Sequence, residues 1–416
     1  MTSSESYSVE YIINEANSLH ERLHMVKPFS MTMPMVKGAF ISNEALKGVT
    51  ELLEKGKRQL HSAVLDFIRI AKKTNQHHDV HLLQKKFTLL KLRYNSILDQ
   101  LDIFADVLSQ RAEHDTGIWL SGLDTLAEDG LTIGKQYYDA PPLMVFLERG
   151  HGAAIRRART RLPGGDENPV AVIQIPRERM VGSGIASSLI HEVGHQAAEL
   201  LDLVESLRPA IEAKKQTAKN ENAYLYYNRW ISEIIADYWA IGQLGISSAL
   251  GLTGVVTLPK YFQFRLDLHD PHPAPYVRVQ ISCAFGNSLY PHPQWSRLWD
   301  VWKSFYPIDG LPADKIQILK ELEEELPQFV ELVNNHRPKS LKGKRLADLF
   351  PLQERQPHQL QQYFQAWKAN PYIIDRAPPT LIFAILGQAK SDLLLEAADE
   401  SKILTKLLRL WAFNRN

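Results

Sequence analysis

The chain has 416 residues, 44% hydrophobic and 23% charged, with a formal net charge of +1. This is ordinary globular composition, long enough for two or three domains, and the near-zero charge supplies no field to attract nucleic acid or an anionic membrane, so neither is an expected partner. One cysteine, Cys283, excludes an intramolecular disulfide framework; with no secretory signal and no apolar stretch of transmembrane length, the expected location is cytoplasmic, export without a cleaved signal remaining open.

Residues 1 to about 118 carry helical periodicity. His20-Glu21-Arg22-Leu23-His24 is an H-E-x-x-H sequence. Its surroundings argue against a catalytic metal site: Arg22 puts a charge inside it, Pro28 ends the helix about one turn later, and no E-x-x-x-D follows nearby. It reads as a polar helix face. Asn43-Glu44-Ala45-Leu46 opens an amphipathic run through Lys72, and a second runs from about Val80 to Arg111. Two antiparallel helices are the simplest arrangement. His77, His78 and His81 cluster at the turn between them and read as adventitious.

From residue 119 the pattern changes. Pro142 to Leu147 and Pro169 to Ile175 are the best strand candidates, with a turn at Pro163-Gly164-Gly165-Asp166. Arg156, Arg157, Arg159 and Arg161 form a basic cluster, either a solvated strand or loop or a group that could select acidic substrates or touch a nucleic acid.

His191-Glu192-Val193-Gly194-His195 is the second H-E-x-x-H. Apart from Glu192, nothing charged occurs between Gly184 and Glu199 with the histidines neutral, and no proline interrupts the run. This predicts one buried helix. Residues i and i+4 share a helix face, so the two imidazoles can reach one ion, and burying them without a partner would be costly. Glu192 can hold a water without being a ligand. Glu199 lies about 12 Å along the axis from His191, too far to share that ion. A third ligand must come from elsewhere. Trp230 to Ala240 is another apolar helical run whose only charges are Glu233 and Asp237, one turn apart. Glu233 can complete the site, and Asp237 can accept the free ring N–H of His191, orienting the ring.

H-E-x-x-H followed on a later helix by E-x-x-A-D resembles the gluzincins, the thermolysin-like zinc metallopeptidases. Glu233 follows His195 by 38 residues, an interval suited to a helix, a loop and a second helix. The resemblance implies a zincin-like domain, one Zn2+ per chain held by His191, His195 and Glu233, Glu192 as general base, and a peptide or protein substrate. It also implies an edge strand before the zinc helix that pairs with the substrate backbone, for which Pro169 to Ile175 is the candidate, an internal core strand being the other reading of that segment. Asp270-Pro271-His272-Pro273-Ala274-Pro275-Tyr276-Val277-Arg278 resembles the H-P…R segment of several gluzincin families. His272, Tyr276 or Arg278 would then stabilise the oxyanion, with Tyr226, Tyr227 and Tyr261 as weaker candidates.

Beyond Pro307 the pattern is helical again. Asp314 to Asn335 is interrupted at Pro327, Pro357 to Ala369 follows, and Pro379 to Phe413 closes the chain. The expected fold is therefore mainly α with a small β-sheet (α+β). Its regions are a helical 1–118, a zincin-like 119–306 and a helical 307–416. Two other readings remain: hydrolysis of a non-peptide amide, or a binding protein whose metal only staples the core. The last would require a fourth ligand such as His269, His272 or Cys283, and has no use for Glu192.

Overall fold

The computed structural model describes residues 3–73, 80–148, 152–176, 182 and 184–415. His77 and His78 lie outside these residues. The architecture is mainly α with one small sheet, as the periodicity implies. Among the described residues no helix is long and apolar enough to cross a membrane.

The N-terminal helices are α1 (Ser3–Met25), the single-turn α2 (Phe29–Thr32), α3 (Asn43–Lys73) and α4 (Val80–Ser109). On α1, Val9, Ile12, Ala16, Leu19 and Leu23 alternate steps of three and four, so they form one apolar stripe. That stripe packs on Leu60, Val64, Phe67 and Ala71 of α3 and on Leu83, Leu90, Tyr94 and Ile97 of α4. The expected pair of long helices is thus a trio, because α1 carries a matching stripe.

After α5 (His114–Thr132) come β1 (Leu143–Glu148), β2 (Ala154–Arg156) and β3 (Ala171–Pro176), in the order β1-β3-β2. β1 runs parallel to β3, with Val145 opposite Ile173, and β2 is antiparallel to it, with Ile155 opposite Ile173. Leu143, Val145, Leu147, Ala171, Ile173 and Ile175 face the main core, whereas Met144 and Val172 face a second core beneath α3 and α4. Burial of both faces explains why β1 and β3 are continuous apolar runs rather than alternating ones. Of the two readings of Pro169 to Ile175, an edge strand or an internal core strand, the structure shows the second. β3 is central, paired on both sides, and the edge near the candidate site is β2, three residues that are too short and too exposed to register as a strand in the sequence.

The remaining helices are α6 (Gly184–Leu200), α7 (Leu203–Lys215), α8 (Glu221–Leu244), α9 (Ile246–Val256), the single-turn α10 (Lys260–Gln263), α11 (Pro275–Leu289), α12 (Gln294–Phe305), α13 (Ala313–Asn335), α14 (Pro357–Ala369), α15 (Pro379–Ser391) and α16 (Ala397–Asn414). α13 continues through Pro327 without a break. The 118/119 boundary falls inside α5, and one hydrophobic core runs from Leu120 to Trp411. Residues 307–416 therefore complete the core of the central region rather than forming one of their own.

Asp124 of α5 ties these parts together. It receives a bidentate pair from Arg111 at 2.9 and 3.0 Å, the Val145 amide at 2.8 Å and Arg415 at 2.6 Å. The Arg111 and Asp124 side chains are 0% exposed. Removing one member of such a network strands the others as buried charge. Asp124→Ala is expected to cost about 3–5 kcal/mol in urea unfolding followed by circular dichroism. Glu51→Ala, which breaks the exposed 4.0 Å pair with Lys47, should leave the midpoint unchanged.

Candidate metal centre

Among the described residues α6 and α8 make the most extensive helix–helix contact, and they carry the site. At the crossing stands Gly194, inside the H-E-V-G-H sequence. A Cβ there would lie 2.9 Å from the Ala236 Cα, the Ala236 carbonyl oxygen and the Trp239 Cβ. Only a residue without a side chain lets the two backbones approach this closely. α8 is tied in turn to α5, where Trp239 Nε1 and Gln243 Nε2 donate to the Gly130 carbonyl at 3.1 and 2.8 Å. On the sheet side, the Ala158 amide donates to Gln196 Oε1 at 2.8 Å.

This crossing brings the three expected ligands together. The His191 and His195 rings stand edge to face, with centroids 4.8 Å apart. His191 Nε2 lies 3.3 Å from Glu233 Oε2, and His195 Nε2 lies 3.3 Å from Glu233 Oε1. One donor atom from each residue falls within 4.8 Å of the others, so the group can hold a metal ion. The donor set, two imidazoles and one carboxylate, suits a transition-metal ion such as zinc. The outer nitrogens are occupied, which turns the inner ones toward a common point. His191 Nδ1–H donates to Asp237 Oδ1 at 2.7 Å, as expected, and the Ser232 hydroxyl lies 3.4 Å from His195 Nδ1. Ser232 carries no signal in the sequence beyond standing next to Glu233.

Arg278 of α11 adds the next layer. Its Nε donates to Asp237 Oδ2 at 2.7 Å and its Nη2 to Asp237 Oδ1 at 2.9 Å, and the same Nη2 lies 3.6 Å from Glu233 Oε2. A guanidinium engaged this way positions Asp237, and through it His191. This differs from the expected oxyanion donor.

The charges reinforce one another. Burial opposes ionisation of Glu233, but the hydrogen bonds from His191 and His195 hold its carboxyl far below the usual range. Burial likewise works against Asp237, and Arg278 and His191 overcome it, bringing its pKa down to about 2. Burial disfavours the His191 cation, yet Asp237 and Glu233 push its pKa up to about 10. The pocket is thus built to hold positive charge, for which a proton and a metal ion compete. Burial pushes the Glu192 carboxyl the other way, above its ordinary value, against the pull of His191 and His195.

These groups line a cavity of about 440 Å³ that includes Glu192, His272 and Arg278. Gly152 to Ile155 and Arg157 form one wall, so the β2 edge faces the ligands; an adjoining cavity of about 790 Å³ shares Ala154, Ile155 and Arg157. Arg157 is held by Glu199 at 2.6 Å, while Arg159 donates to the Asp139 carbonyl and Arg161 lies on a bridge to Glu167. Only Arg157 of the basic cluster reaches the ligand cavity. His272 stands at the rim, its side chain 57% exposed, with Nε2 3.8 Å from Glu233 Oε1 and Nδ1 2.9 Å from Asp270 Oδ1. Tyr276 is a correction. It is buried in the core against Phe264 and Trp299, since Pro275 starts α11 and the next residue turns inward. Tyr227 donates to the Leu322 carbonyl, Tyr226 packs on Trp230, and Tyr261 is exposed beside Phe262, so none reaches the cavity. Cys283 lines a different cavity, between α11, α12 and α13, and the His269 carbonyl accepts from Arg229.

No protein-family model matches the chain, and no curated protein or solved structure gives a significant match to it.

The crossing can be tested directly. In an open helix Gly→Ala would stabilise by about 1 kcal/mol. Gly194→Ala is expected instead to destabilise by about 1–3 kcal/mol, the usual overpacking cost, and to reduce metal retention measured by elemental mass spectrometry. A stabilised variant with unchanged metal content would show that the helices do not depend on this approach.

Proposed function

We propose that this chain is a zinc-dependent peptidase of gluzincin type, its zincin-like site carried by residues 119–306 and acting on a peptide or protein substrate. The observation that carries the proposal is the convergence of His191, His195 and Glu233 in one cavity with a further buried carboxylate, Glu192, beside them. His191, His195 and Glu233 would hold the zinc ion, which would supply Lewis acidity toward a carbonyl and water. Glu192 takes the proton of the attacking water on its carboxylate and passes it to the leaving nitrogen. The burial that raises its proton affinity suits it to both halves of that transfer. Asp237 keeps the His191 ring in its donor orientation, and Arg278 holds Asp237. His272, tethered through Nδ1 to Asp270, would turn Nε2 toward a developing oxyanion and would donate to it as the imidazolium. The β2 edge offers backbone groups to an extended substrate.

A metal that serves only as a staple would close its shell with four protein ligands and would have no use for Glu192. Among the described residues the cluster has three; Cys283 lines another cavity, and His272 stands at the rim of this one with Nε2 3.8 Å from Glu233 Oε1.

Glu192→Gln is expected to keep the metal content of the wild type while hydrolysis of a quenched-fluorescent peptide library falls by about 10²–10⁴-fold. Retained turnover would overturn the mechanism. His195→Ala should lose both metal and activity. In Asp237→Ala the metal should remain but bind about 10–100-fold more weakly, read by competition with a chromogenic chelator.

A further inference from the structure

The first H-E-x-x-H does not stand alone on its helix. His20 and His24 lie one turn apart on α1, their rings edge to face with centroids 4.7 Å apart at 88°. The corresponding values for His191 and His195 are 4.8 Å and 86°. α3 adds His61, whose Nδ1 is 3.0 Å from His20 Nε2. Two nitrogens on one tetrahedral zinc stand about 3.3 Å apart, given bonds of about 2.0–2.1 Å. The His20–His61 pair is therefore already near the spacing of two ligands, linked meanwhile by a single shared hydrogen. As they stand the three do not converge within ligand reach: the centroid of His24 is 6.4 Å from that of His61, and closing the site would require the exposed His24 side chain to turn toward the pair.

We infer that His20, His24 and His61 form a second, peripheral site for a divalent transition-metal ion, which ties α1 to α3. Three imidazoles without a direct carboxylate ligand favour zinc, copper or nickel over magnesium or calcium. Imidazole binds metal in its neutral form. Glu21, on the same turn, adds negative charge nearby. The site also has mechanical sense. α1 is held by one apolar stripe against α3 and α4, and these histidines sit near its C-terminal end, on the flank it shares with α3. An ion there would cross-link the two helices and oppose fraying of α1.

The test uses the full-length, tag-free chain carrying Glu233→Ala, which disables the α6–α8 centre. Calorimetric titration with Zn2+ should show one remaining equivalent. Adding His61→Ala should weaken that binding at least about tenfold, whereas adding His114→Ala, another exposed histidine, should not change it. Hydrogen exchange of the α1 amides should slow with zinc in the Glu233→Ala protein and not in the one that also carries His61→Ala. If Glu233→Ala fails to fold, the wild type should bind two equivalents and His61→Ala one. No zinc uptake outside the α6–α8 centre, or uptake that survives His61→Ala, would overturn the proposal.

Discussion

The candidate centre depends on how closely α6 and α8 can approach. Gly194 faces the backbone of Ala236 at a separation that no Cβ could occupy, so each helix presents almost bare main chain to the other. Two helices meeting through larger residues would stand farther apart, and the Glu233 carboxylate would no longer reach both imidazoles at 3.3 Å. The small residue in the middle of H-E-V-G-H is thus a packing requirement that sets the size of the pocket, while the histidines on either side supply its chemistry.

Closeness places several ionisable groups in a largely apolar interior, where each must be compensated. The compensation runs outward in sequence. Glu233 faces both histidines, His191 leans on Asp237, and Asp237 is clamped by Arg278 from α11. Glu192 is the exception, buried with its proton affinity raised by the same environment that lowers that of Glu233. Two carboxylates in one cavity are therefore driven in opposite directions, Glu233 to stay ionised and Glu192 to hold a proton more readily, a divergence that the proposed acid–base role would use.

The rest of the molecule holds this arrangement in place. The sheet is buried on both faces, so β1 and β3 form a rigid floor, and only β2, at the edge, opens toward the cavity. The C-terminal helices share the core of the site-bearing helices. Arg415, near the end of the described chain, reaches Asp124, which also holds Arg111 and the β1 backbone. Stability of the candidate centre is consequently linked to residues far from it along the chain.

The sequence by itself determined the helices, because apolar residues at steps of three and four mark which face must be buried. It also determined the pairs His191–His195 and Glu233–Asp237, because spacing within a helix fixes which side chains share a face, whereas the packing of α6 on α8 decided that the two pairs meet. It could not place Tyr276 and Arg278. One turn of helix decides which points into the core and which into the cavity, and that rotation is set by neighbours from other helices. Nor could it identify β2 as the edge, since three residues carry no period, or show that α5 and the C-terminal helices complete one core. His61 illustrates the same limit: nothing around it in the chain refers to His20 and His24, and only the packing of α1 on α3 brings the three rings together. Local periodicity is encoded within a few turns, whereas convergence between distant segments depends on helix packing distances and rotations that no local pattern specifies.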